Sequence, residues 1–421
     1  MSMIVRIELG VLEIELPEEV TCAQLDAEIE ERTRKIQRHA FTEACSQLEA
    51  KKVADRKCPG CTGLMTIRDV DHRAVMMLAG VASVPVRRLR CPACGYRKAP
   101  LQDFLPTSRH TLPVVERALR LATEVGYVRS ADILRRLMGA TISHEQIRRM
   151  ALLEAKRLGR DLEQQAEELF EWGVCPPDVT ERKSDDTVVV AMDGGLVADR
   201  GTKKSFEARV GVVFCGTADV SKDRRVLRNR TAHVGIEDTQ TFARKMSVLA
   251  IQAGMLTAGR TIVIGDGAGW IRRTARDWFP ESVYVLDLYH LKRRISEVLG
   301  QEQDAWWHAA VVRACIEGRP AEAIRVLRGY DPGDDERARL LHERLIGYIR
   351  SNAEGIENYT RTDLFGSGSF EKAVDVIVSR RLKCRGMSWL KPGALGILKL
   401  RVLRYNNEWD SHWASRFAEA A

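Results

Sequence analysis

The chain has 421 residues, 45% hydrophobic and 29% charged, which is the composition of a globular protein with room for about two to four domains. A formal net charge of +8 favours a polyanionic partner, although many basic proteins bind none. No apolar run approaches the roughly 18 residues of a membrane span, and the N-terminus lacks the apolar core of a signal peptide. These features predict a cytoplasmic protein whose ten cysteines are reduced.

The N-terminal part, residues 1–54, is predicted to contain a hairpin and a long helix. Residues 3–16 alternate apolar and charged side chains around Gly10, which is typical of a hairpin. Residues 24–56 are rich in charge and in helix formers. Neither pattern indicates a function.

Two C-x-x-C pairs, Cys58 with Cys61 and Cys91 with Cys94, predict a zinc ribbon in residues 55–108. Each tight turn directs two thiolates at one tetrahedral ion, and four cysteines close the site, so the zinc is expected to be structural. The runs AVMMLAG and VASVPVRRLR between the pairs are expected to form the strands. A redox motif is the alternative, but two copies without thioredoxin-like surroundings argue against it.

A helix-turn-helix is predicted within residues 109–172. Ser130 is expected to N-cap the first helix and Gly139 to end it, and Ser143 with Gln146 has the spacing of a capping box. The buried face of the first helix would hold Ile133, Leu134, Leu137 and Met138.

The second helix of this motif would bury Ile147, Met150 and Ala151 and expose Arg148 and Arg149. Exposed arginines on such a helix are suited to the major groove of DNA. The alternative is a plain helical hairpin, because this pattern is common in helical proteins.

The segment TIVIGDGAGWIRR, from Thr261 to Arg273, joins a β-branched run to a helix through a glycine-rich turn. It has neither the glycine spacing of a dinucleotide loop nor the lysine of a P-loop. Asp266 would therefore lie at the C-terminal end of a strand, where α/β sheets bind ligands, and the glycines would let a metal and a phosphate approach. The alternative is an aspartate that only caps the following helix.

A second β-branched run ends in Asp193, and the predicted order of three strands, a helix, a strand, a helix and a strand is that of the RNase H-like fold. In that order Asp193 and Asp266 lie side by side and can hold two divalent ions, as phosphodiester chemistry requires. A third ligand is expected on a later helix. Glu371 is the first candidate, and Glu357 and Glu408 are its rivals.

Four motifs in order, MDGG, GDGAGWI, DLYH and GSGSFE followed by SRRLKCRGMSW, resemble those of bacterial insertion-sequence transposases of the DDE type, in the Mutator-like branch. The resemblance covers about residues 185 to 405. It implies that Asp193, Asp266 and Glu371 form a catalytic triad that binds two Mg²⁺ or Mn²⁺ ions. Asp287 and His290 match a motif that would orient the site or touch DNA.

The expected fold class is therefore a multidomain α+β or α/β protein with a zinc ribbon, a helix-turn-helix and an RNase H-like core. This core would span residues 185–298 and 366–421, with an all-helical insertion at 299–365 between its parts. The resemblance implies element-end and target DNA as partners, a homo-oligomer on DNA, and a bacterial, nucleoid-associated location.

The basic segment from Lys372 to Arg404 contains nine Lys or Arg residues and one acidic residue. Arg381 and Lys383 are expected to contact phosphates there. Trp389 is expected to be a core residue rather than a platform for an unpaired base.

Two other functions remain open at this point. A non-catalytic DNA-binding regulator would keep the zinc ribbon and the helix-turn-helix, although the three carboxylates argue against it. A metal-dependent nuclease of the same fold would cut DNA without joining it.

Overall fold

The structure is a computed structural model that describes residues 7, 14, 19–54, 56–176, 186–221, 224–300, 305–362 and 371–419. It is a mixed α/β protein and divides into two compact units. One unit comprises Met1–Met150 with Ser411–Ala421, and the other comprises Ala151–Asp410. The hairpin predicted for residues 3–16 lies outside the described residues.

The first unit contains a three-stranded antiparallel sheet, in the order β1-β2-β3, and several helices. The elements are α1 (Cys22–Ala54), β1 (Thr66–Met77), β2 (Gly80–Arg90), β3 (Arg97–Lys98), α2 (Leu112–Glu124), α3 (Tyr127–Met138) and α4 (His144–Arg157), which continues into the second unit. The run VASVPVRRLR lies within β2 as expected, whereas AVMMLAG covers only the end of β1, from Ala74 to Met77, and the turn into β2.

A buried carboxylate ties α1 to β2. The side chain of Glu49 is 1% exposed, and it accepts hydrogen bonds from the backbone N–H of Arg87 at 2.7 Å and from the Arg87 guanidinium at 2.9 Å. A buried charge is tolerated when it is paired and hydrogen-bonded, as it is here. The surrounding core contains Cys45, Val75, Val84, Val86, Leu101 and Leu105.

The caps of α3 and α4 agree with the sequence in part. Gly139 ends α3 with a positive φ of 65°, and Ser143 and Gln146 form the expected capping box, with hydrogen bonds of 3.2 and 3.0 Å. Ser130 is not the N-cap: α3 begins four residues earlier after Gly126, and the Ser130 hydroxyl donates back to the Gly126 carbonyl. Leu137, expected to be buried, is 69% exposed.

The second unit is built on a five-stranded sheet with helices before, between and after the strands. Its first part consists of α5 (Arg160–Trp172), β4 (Thr187–Ala198), β5 (Ser205–Phe214), β6 (Thr217–Ser221), β7 (Arg224–Leu227), β8 (Thr231–Gly235), α6 (Thr239–Gln252), β9 (Arg260–Gly265), α7 (Gly269–Trp278) and β10 (Val283–Leu286).

A helical segment follows β10, and the chain then returns to the sheet. The helices are α8 (Leu288–Leu299), α9 (Ala305–Ile316), α10 (Pro320–Gly329), α11 (Glu336–Ser351), α12 (Ala353–Glu357), α13 (Glu371–Val374), α14 (Arg380–Leu382), α15 (Lys391–Tyr405) and α16 (Trp409–Glu419), which ends in the first unit. A 3-10 turn (Asn358–Arg361) follows α12, and a π-helical turn (Asp375–Ser379) joins α13 to α14.

The five strands lie in the order β10-β9-β4-β5-β8. β5 runs antiparallel to both of its neighbours, whereas β4, β9 and β10 are parallel to one another. The buried valines and isoleucines of β4 and β9 suit a strand covered on both faces. Helices α6 and α7 cover one face, with a core of Val188, Val190, Met192, Phe242, Met246, Val263, Ile271 and Ala275.

Side chains from later elements close both edges of this sheet. At β10, the Asn358 amide donates to the Tyr284 carbonyl at 2.8 Å, and the Tyr359 hydroxyl donates to the Leu286 carbonyl at 2.7 Å. At β8, the Asn406 amide accepts from the Ala232 N–H at 2.8 Å and donates to the Ala232 carbonyl at 3.2 Å. These contacts satisfy edge groups that would otherwise pair with another strand.

We expect Asn406→Ala to lower the free energy of unfolding by about 2–3 kcal/mol, because it leaves the N–H and the C=O of the buried Ala232 without partners. Urea denaturation measures the effect. Gln240→Ala is the matched control, since it removes an amide at an exposed position of α6 and should change stability by less than about 0.5 kcal/mol. Equal effects of the two changes would contradict the role assigned to Asn406.

Candidate active site and cysteine cluster

Three aspartates lie at the same end of three adjacent parallel strands. The register pairs Met192 of β4 with Gly265 of β9, and Gly265 with Leu286 of β10. The next residue in each case is an aspartate: Asp193, Asp266 and Asp287. Because side chains alternate along strands, the three aspartates point to the same face of the sheet. Asp193 follows the last residue that β4 pairs with β9, and β4 itself continues to Ala198 in its pairing with β5.

Asp193 is the most perturbed carboxylate of this group. Burial raises its pKa to about 6, the charge of His290 opposes that rise, and the negative charges of Asp266 and Asp287 add to it. One of its oxygens accepts a hydrogen bond from the Gly194 N–H at 2.6 Å. The site therefore concentrates negative charge in a position that is only 8% exposed.

Asp287 and His290 form a hydrogen-bonded pair beside Asp193. Asp287 is 2% exposed and N-caps α8 by accepting from the Tyr289 N–H at 3.0 Å, and its other oxygen accepts from His290 Nδ1 at 2.7 Å. Burial lowers the pKa of His290, but the bond to Asp287 and the charge of Asp193 outweigh it, so the pKa is raised. Asp287 thus both caps the helix and directs a cation at the carboxylates.

The Asp266 loop is held by its own backbone and by the helical segment. The Asp266 carboxylate accepts from the Ala268 N–H at 2.8 Å, and Ala268, not Asp266, is the N-cap of α7. The Tyr348 hydroxyl of α11 donates to the Asp266 carbonyl at 2.7 Å.

Two of the glycines around Asp266 are required by packing. A Cβ on Gly265 would lie 2.5 Å from the Ile271 side chain of α7. Gly267 has a φ of +85°, and a Cβ there would lie 2.8 Å from the Asn352 side chain. These glycines let α7 and the end of α11 contact the loop.

Glu371 opens α13, which lies beside β4 and β5. Its side chain falls outside what the structure describes. Val378, further along the same helical stretch, packs over Gly195, where a Cβ would approach it to 3.0 Å. Gly195 and Asp193 share a face of β4, so this stretch covers the face to which Asp193 points.

A buried arginine of α15 stabilises the π-helical turn that follows α13. Arg401 is 5% exposed, and its Nε donates to the carbonyls of Val376 at 2.9 Å and Ile377 at 3.0 Å. A π-helical turn lacks the regular bonding pattern of an α-helix, and such turns are frequent at functional sites. The guanidinium supplies donors to this turn.

The rival third ligands lie elsewhere. Glu357 is exposed at the end of α12, and Glu408 is exposed between α15 and α16. Neither follows a strand of the sheet.

The four cysteines predicted to bind zinc come together. The Sγ atoms of Cys58 and Cys94 are 3.5 Å apart, those of Cys61 and Cys91 are 3.4 Å apart, and all four lie within 4.8 Å of one another. Tetrahedral zinc with bonds of about 2.3 Å requires sulfurs about 3.8 Å apart, so the cluster fits this ion. A backbone N–H bond at Cys94 contributes most to lowering the pKa of Cys91 to about 6. For Cys61 a backbone N–H bond at Gly63 lowers the pKa, but hydrogen bonds to the other thiols outweigh it and raise the pKa to about 12, so the four thiols share their protons unequally.

The two cysteine turns share one backbone pattern. In the first turn, the Cys58 N–H donates to the Gly63 carbonyl and the Thr62 N–H donates to the Cys58 carbonyl. In the second turn, the N–H groups of Cys91 and Gly95 make the two equivalent bonds. Thr62 and Gly95 both have positive φ, at 58° and 76°. The same position is left-handed in both turns, which favours glycine.

The cluster of four cysteines is the only group of three or more candidate metal ligands within 4.8 Å in the part of the chain that the structure describes. Asp266 and Asp287 are close enough to Asp193 for their charges to raise its pKa.

The arginines predicted to read DNA bases are engaged with a carboxylate. Arg148 forms two hydrogen bonds to Glu145, at 2.8 and 2.7 Å, and Arg149 lies 3.3 Å from the same residue. Their side chains are 41% and 71% exposed. Ile147, Met150 and Ala151 are buried as expected.

The expected phosphate contact by Arg381 is wrong. This arginine is 1% exposed, and its guanidinium stacks on Trp389 at 4.9 Å, so it is part of the core. Trp389, expected to be a core residue, is only half-buried, and its indole N–H donates to the Leu382 carbonyl at 3.3 Å. Lys383 is exposed and remains available to a partner.

Sequence reasoning missed Tyr348 and Arg401, which support the carboxylate site. Both lie in sequence patterns that are typical of ordinary helices. Arg401 also belongs to a basic segment whose pattern is typical of a solvent-exposed face. The charge pattern alone carries no signal for either, because their partners are backbone carbonyls of distant elements.

These features define a mixed α/β protein with a cluster of four cysteines and a set of aspartates at one end of its main sheet. No described helix has the length and apolarity to cross a membrane. Residues 107–415 match the uncharacterised protein family UPF0236, and the chain belongs to this family.

Similar proteins include UPF0236 members of Caldanaerobacter subterraneus subsp. tengcongensis. One, whose name joins two locus designations, is 30% identical over 151 residues, which are 34% of this chain and 29% of that protein. Another, whose name joins eleven locus designations, is 29% identical over 149 residues, which are 34% of this chain and 30% of that protein. The matched part thus spans less than a third of these relatives' length.

We expect Gly95→Ala to lower the stability of the zinc-loaded protein by roughly 1 kcal/mol, because an alanine at this φ is strained although no atom lies within 4 Å of the new Cβ. Thermal unfolding, with metal analysis to verify one zinc per chain, measures the effect. Gly60→Ala is the control, since Gly60 lies in the first cysteine turn without a positive φ. A loss as large in Gly60→Ala would refute the backbone explanation.

We expect Asp193→Asn to stabilise the magnesium-free protein above pH 6 by roughly 1–3 kcal/mol. The folded-state pKa of Asp193, about 6, exceeds its unfolded value, so the native state holds a proton that the unfolded state has lost, and stability falls as pH rises from about 4 to 6. Asparagine does not titrate, so the gain over wild type should grow across this window. Thermal unfolding at pH 4.5 and 7.5, without chelator, measures it.

Asp103→Asn, at an exposed position of the first unit, is the control and should show no such pH dependence. A constant difference between Asp193→Asn and wild type at both pH values would argue against the burial of a charge at this position.

Proposed function

We propose that this protein is a DDE-type DNA transposase with an RNase H-like core, in which Asp193, Asp266 and Glu371 hold two divalent ions. The observation that carries the proposal is the pairing of Met192 with Gly265, which makes Asp193 and Asp266 neighbours on parallel strands. The proposed reaction is cleavage at the ends of a DNA element, followed by strand transfer to a target.

The sheet supports this proposal through its connectivity. The first three strands, β4, β5 and β8, are antiparallel, and β9 and β10 are added in parallel on the other side of β4. The RNase H-like order expected from the sequence has this arrangement. The helices between β10 and α13 correspond to the expected all-helical insertion.

The electrostatics of the site support a bound cation. Burial of Asp193 raises its pKa, and the two neighbouring carboxylates add to a rise that His290 only partly offsets. Carboxylate oxygens are the ligands that Mg²⁺ prefers. When bound, a pair of such ions supplies polarisation of the phosphodiester and activation of a water or a 3′-hydroxyl.

The chain's own residues would hold and orient the substrate. Asp193, within β4, and Asp266, directly after β9, would supply metal ligands, and Glu371 would supply the third from the helix over the same face. The hydrogen bond to Asp287 holds the His290 ring beside this site. The exposed Lys383 is suited to phosphate contact.

The first unit is proposed to recognise the element's ends. Its zinc cluster would stabilise the ribbon, and α4 would present Arg149 to bases in the major groove. Arg148 would have to exchange Glu145 for a guanine, which its two-pronged hydrogen bonding permits. Association of several copies on DNA belongs to the same proposal, as does a nucleoid location.

The relatives add a genetic argument. One related protein carries a name that joins eleven loci of a single bacterium. Presence at many loci is what an element that copies or moves itself would produce, and this favours a transposase over a regulator encoded once.

The deciding experiment incubates the full chain with Mg²⁺ or Mn²⁺ and labelled DNA carrying the junctions that flank its gene. Cleaved ends together with joined target products support the proposal. Cleavage without joining would indicate a nuclease, and specific binding without cleavage would indicate a regulator.

We expect Asp193→Asn, Asp266→Asn and Glu371→Gln each to reduce cleavage by at least about 10³-fold, because each removes a metal ligand from the reaction. DNA binding should persist, since none of the three contacts a phosphate directly. Gel assays of cleavage and binding measure both. Glu357→Gln and Glu408→Gln are the controls and should remain active; an active Glu371→Gln with an inactive Glu408→Gln would show that the third ligand is wrongly assigned.

A further inference from the structure

Arg294 lies on the face of α8 that carries Asp287 and His290. The three residues are spaced i, i+3 and i+7, which places them along one side of the helix. The adjacent side of the helix is buried through Leu288, Leu291, Ile295 and Leu299. Arg294 is therefore one turn beyond the histidine that faces the carboxylate site, and it is exposed.

An aromatic ring holds the Arg294 side chain in place. Its guanidinium carbon lies 4.3 Å from the ring centroid of Tyr348, and the hydroxyl of the same tyrosine donates to the Asp266 carbonyl at 2.7 Å. Burial raises the pKa of Tyr348, and the positive charge of Arg294 opposes this rise, so the two groups are electrostatically coupled. One tyrosine side chain thus connects the guanidinium to the Asp266 loop.

The charge of Arg294 is not neutralised by a neighbouring carboxylate. Within the described ranges no Asp or Glu lies at salt-bridge distance from it, whereas the adjacent Arg293 lies 3.4 Å from Glu297. The guanidinium also hydrogen-bonds the Tyr348 side chain, and its remaining N–H donors can bind a phosphate with two hydrogen bonds.

We propose that Arg294 binds a phosphate of the nucleic-acid backbone beside the Asp193–Asp266 carboxylates, with Tyr348 as its rigid support. The proposal rests on the proposed function, since it assumes that this site acts on DNA. It assigns to α8 and α11 a substrate-binding role in addition to their packing. The anion is a phosphodiester because this site offers both kinds of group that its reaction uses. Two carboxylates can hold metal ions on one side of it, and a guanidinium supplies a cation on the other.

The test measures the affinity of the full chain for a random-sequence duplex of about 40 base pairs by fluorescence anisotropy, across a range of salt concentrations. Each phosphate contact contributes a slope of about 0.9 in log affinity against log salt. Arg294→Gln should lower the slope by about this amount and weaken binding several-fold at low salt. Arg293→Gln, the matched control, should leave both close to wild type, because its charge is already paired with Glu297.

Two variants of Tyr348 distinguish its role as the ring beneath Arg294 from its role in holding the Asp266 loop. Tyr348→Phe keeps the ring under Arg294 and removes the bond to Asp266, so the salt slope should match that of wild type. Tyr348→Leu removes the ring, and the slope should fall toward that of Arg294→Gln. Thermal unfolding checks that each variant is folded, and the exposed Arg294→Gln carries the test if Tyr348→Leu does not fold.

An unchanged slope in Arg294→Gln, or an equal fall in Arg293→Gln, would overturn the assignment. Cleavage is scored separately with Mg²⁺ and flanking-junction DNA, so the two proposals fail differently. If the protein cleaves and joins DNA but Arg294→Gln has no effect on the salt slope, the transposase proposal stands and the proposed phosphate contact is wrong. If Arg294→Gln changes the slope as expected but the protein never cleaves DNA, the phosphate contact stands and the transposase proposal is wrong.

Discussion

The pairing of β4 with β9 is the contact on which the candidate site depends. It sets Met192 opposite Gly265 and so makes Asp193 and Asp266 neighbours at one end of the sheet. Because side chains alternate along a strand, a slip of one residue would turn one carboxylate to the other face. The buried valines of both strands belong to one core and resist such a slip, so hydrophobic packing on one face determines the chemistry on the other.

This arrangement opposes stability, because it brings negative charges together where little water reaches them. The protein compensates in part: His290 is hydrogen-bonded to Asp287, and the Gly194 N–H donates to Asp193. Burial raises the pKa of Asp193, the charges of Asp266 and Asp287 add to the rise, and a bound cation would oppose it. Sites that cost stability in the empty protein are frequently the sites at which a ligand binds.

The helices after β10 act as support for the strand ends. Tyr348 holds the Asp266 backbone, and Asn358 and Tyr359 satisfy the exposed edge of β10. Arg401 donates hydrogen bonds to backbone carbonyls of the π-helical turn after Glu371. Elements that follow the sheet by many residues therefore fix the geometry of groups within it. In the first unit, the four cysteines have this role for the ribbon, and two turns of the same design direct their sulfurs inward.

The sequence by itself determined the features that depend on neighbours along the chain. The C-x-x-C spacing, the capping box of Ser143 with Gln146 and the β-branched runs before Asp193 and Asp266 are of this kind, because short segments with these patterns adopt one local geometry. Only the tertiary structure decided that Arg381 is buried, that Arg401 bonds to a π-helical turn and that Arg294 stacks on Tyr348. A charged residue on a helix has the same local pattern whether water or another element covers it, and which of the two occurs depends on contacts between residues far apart in the chain.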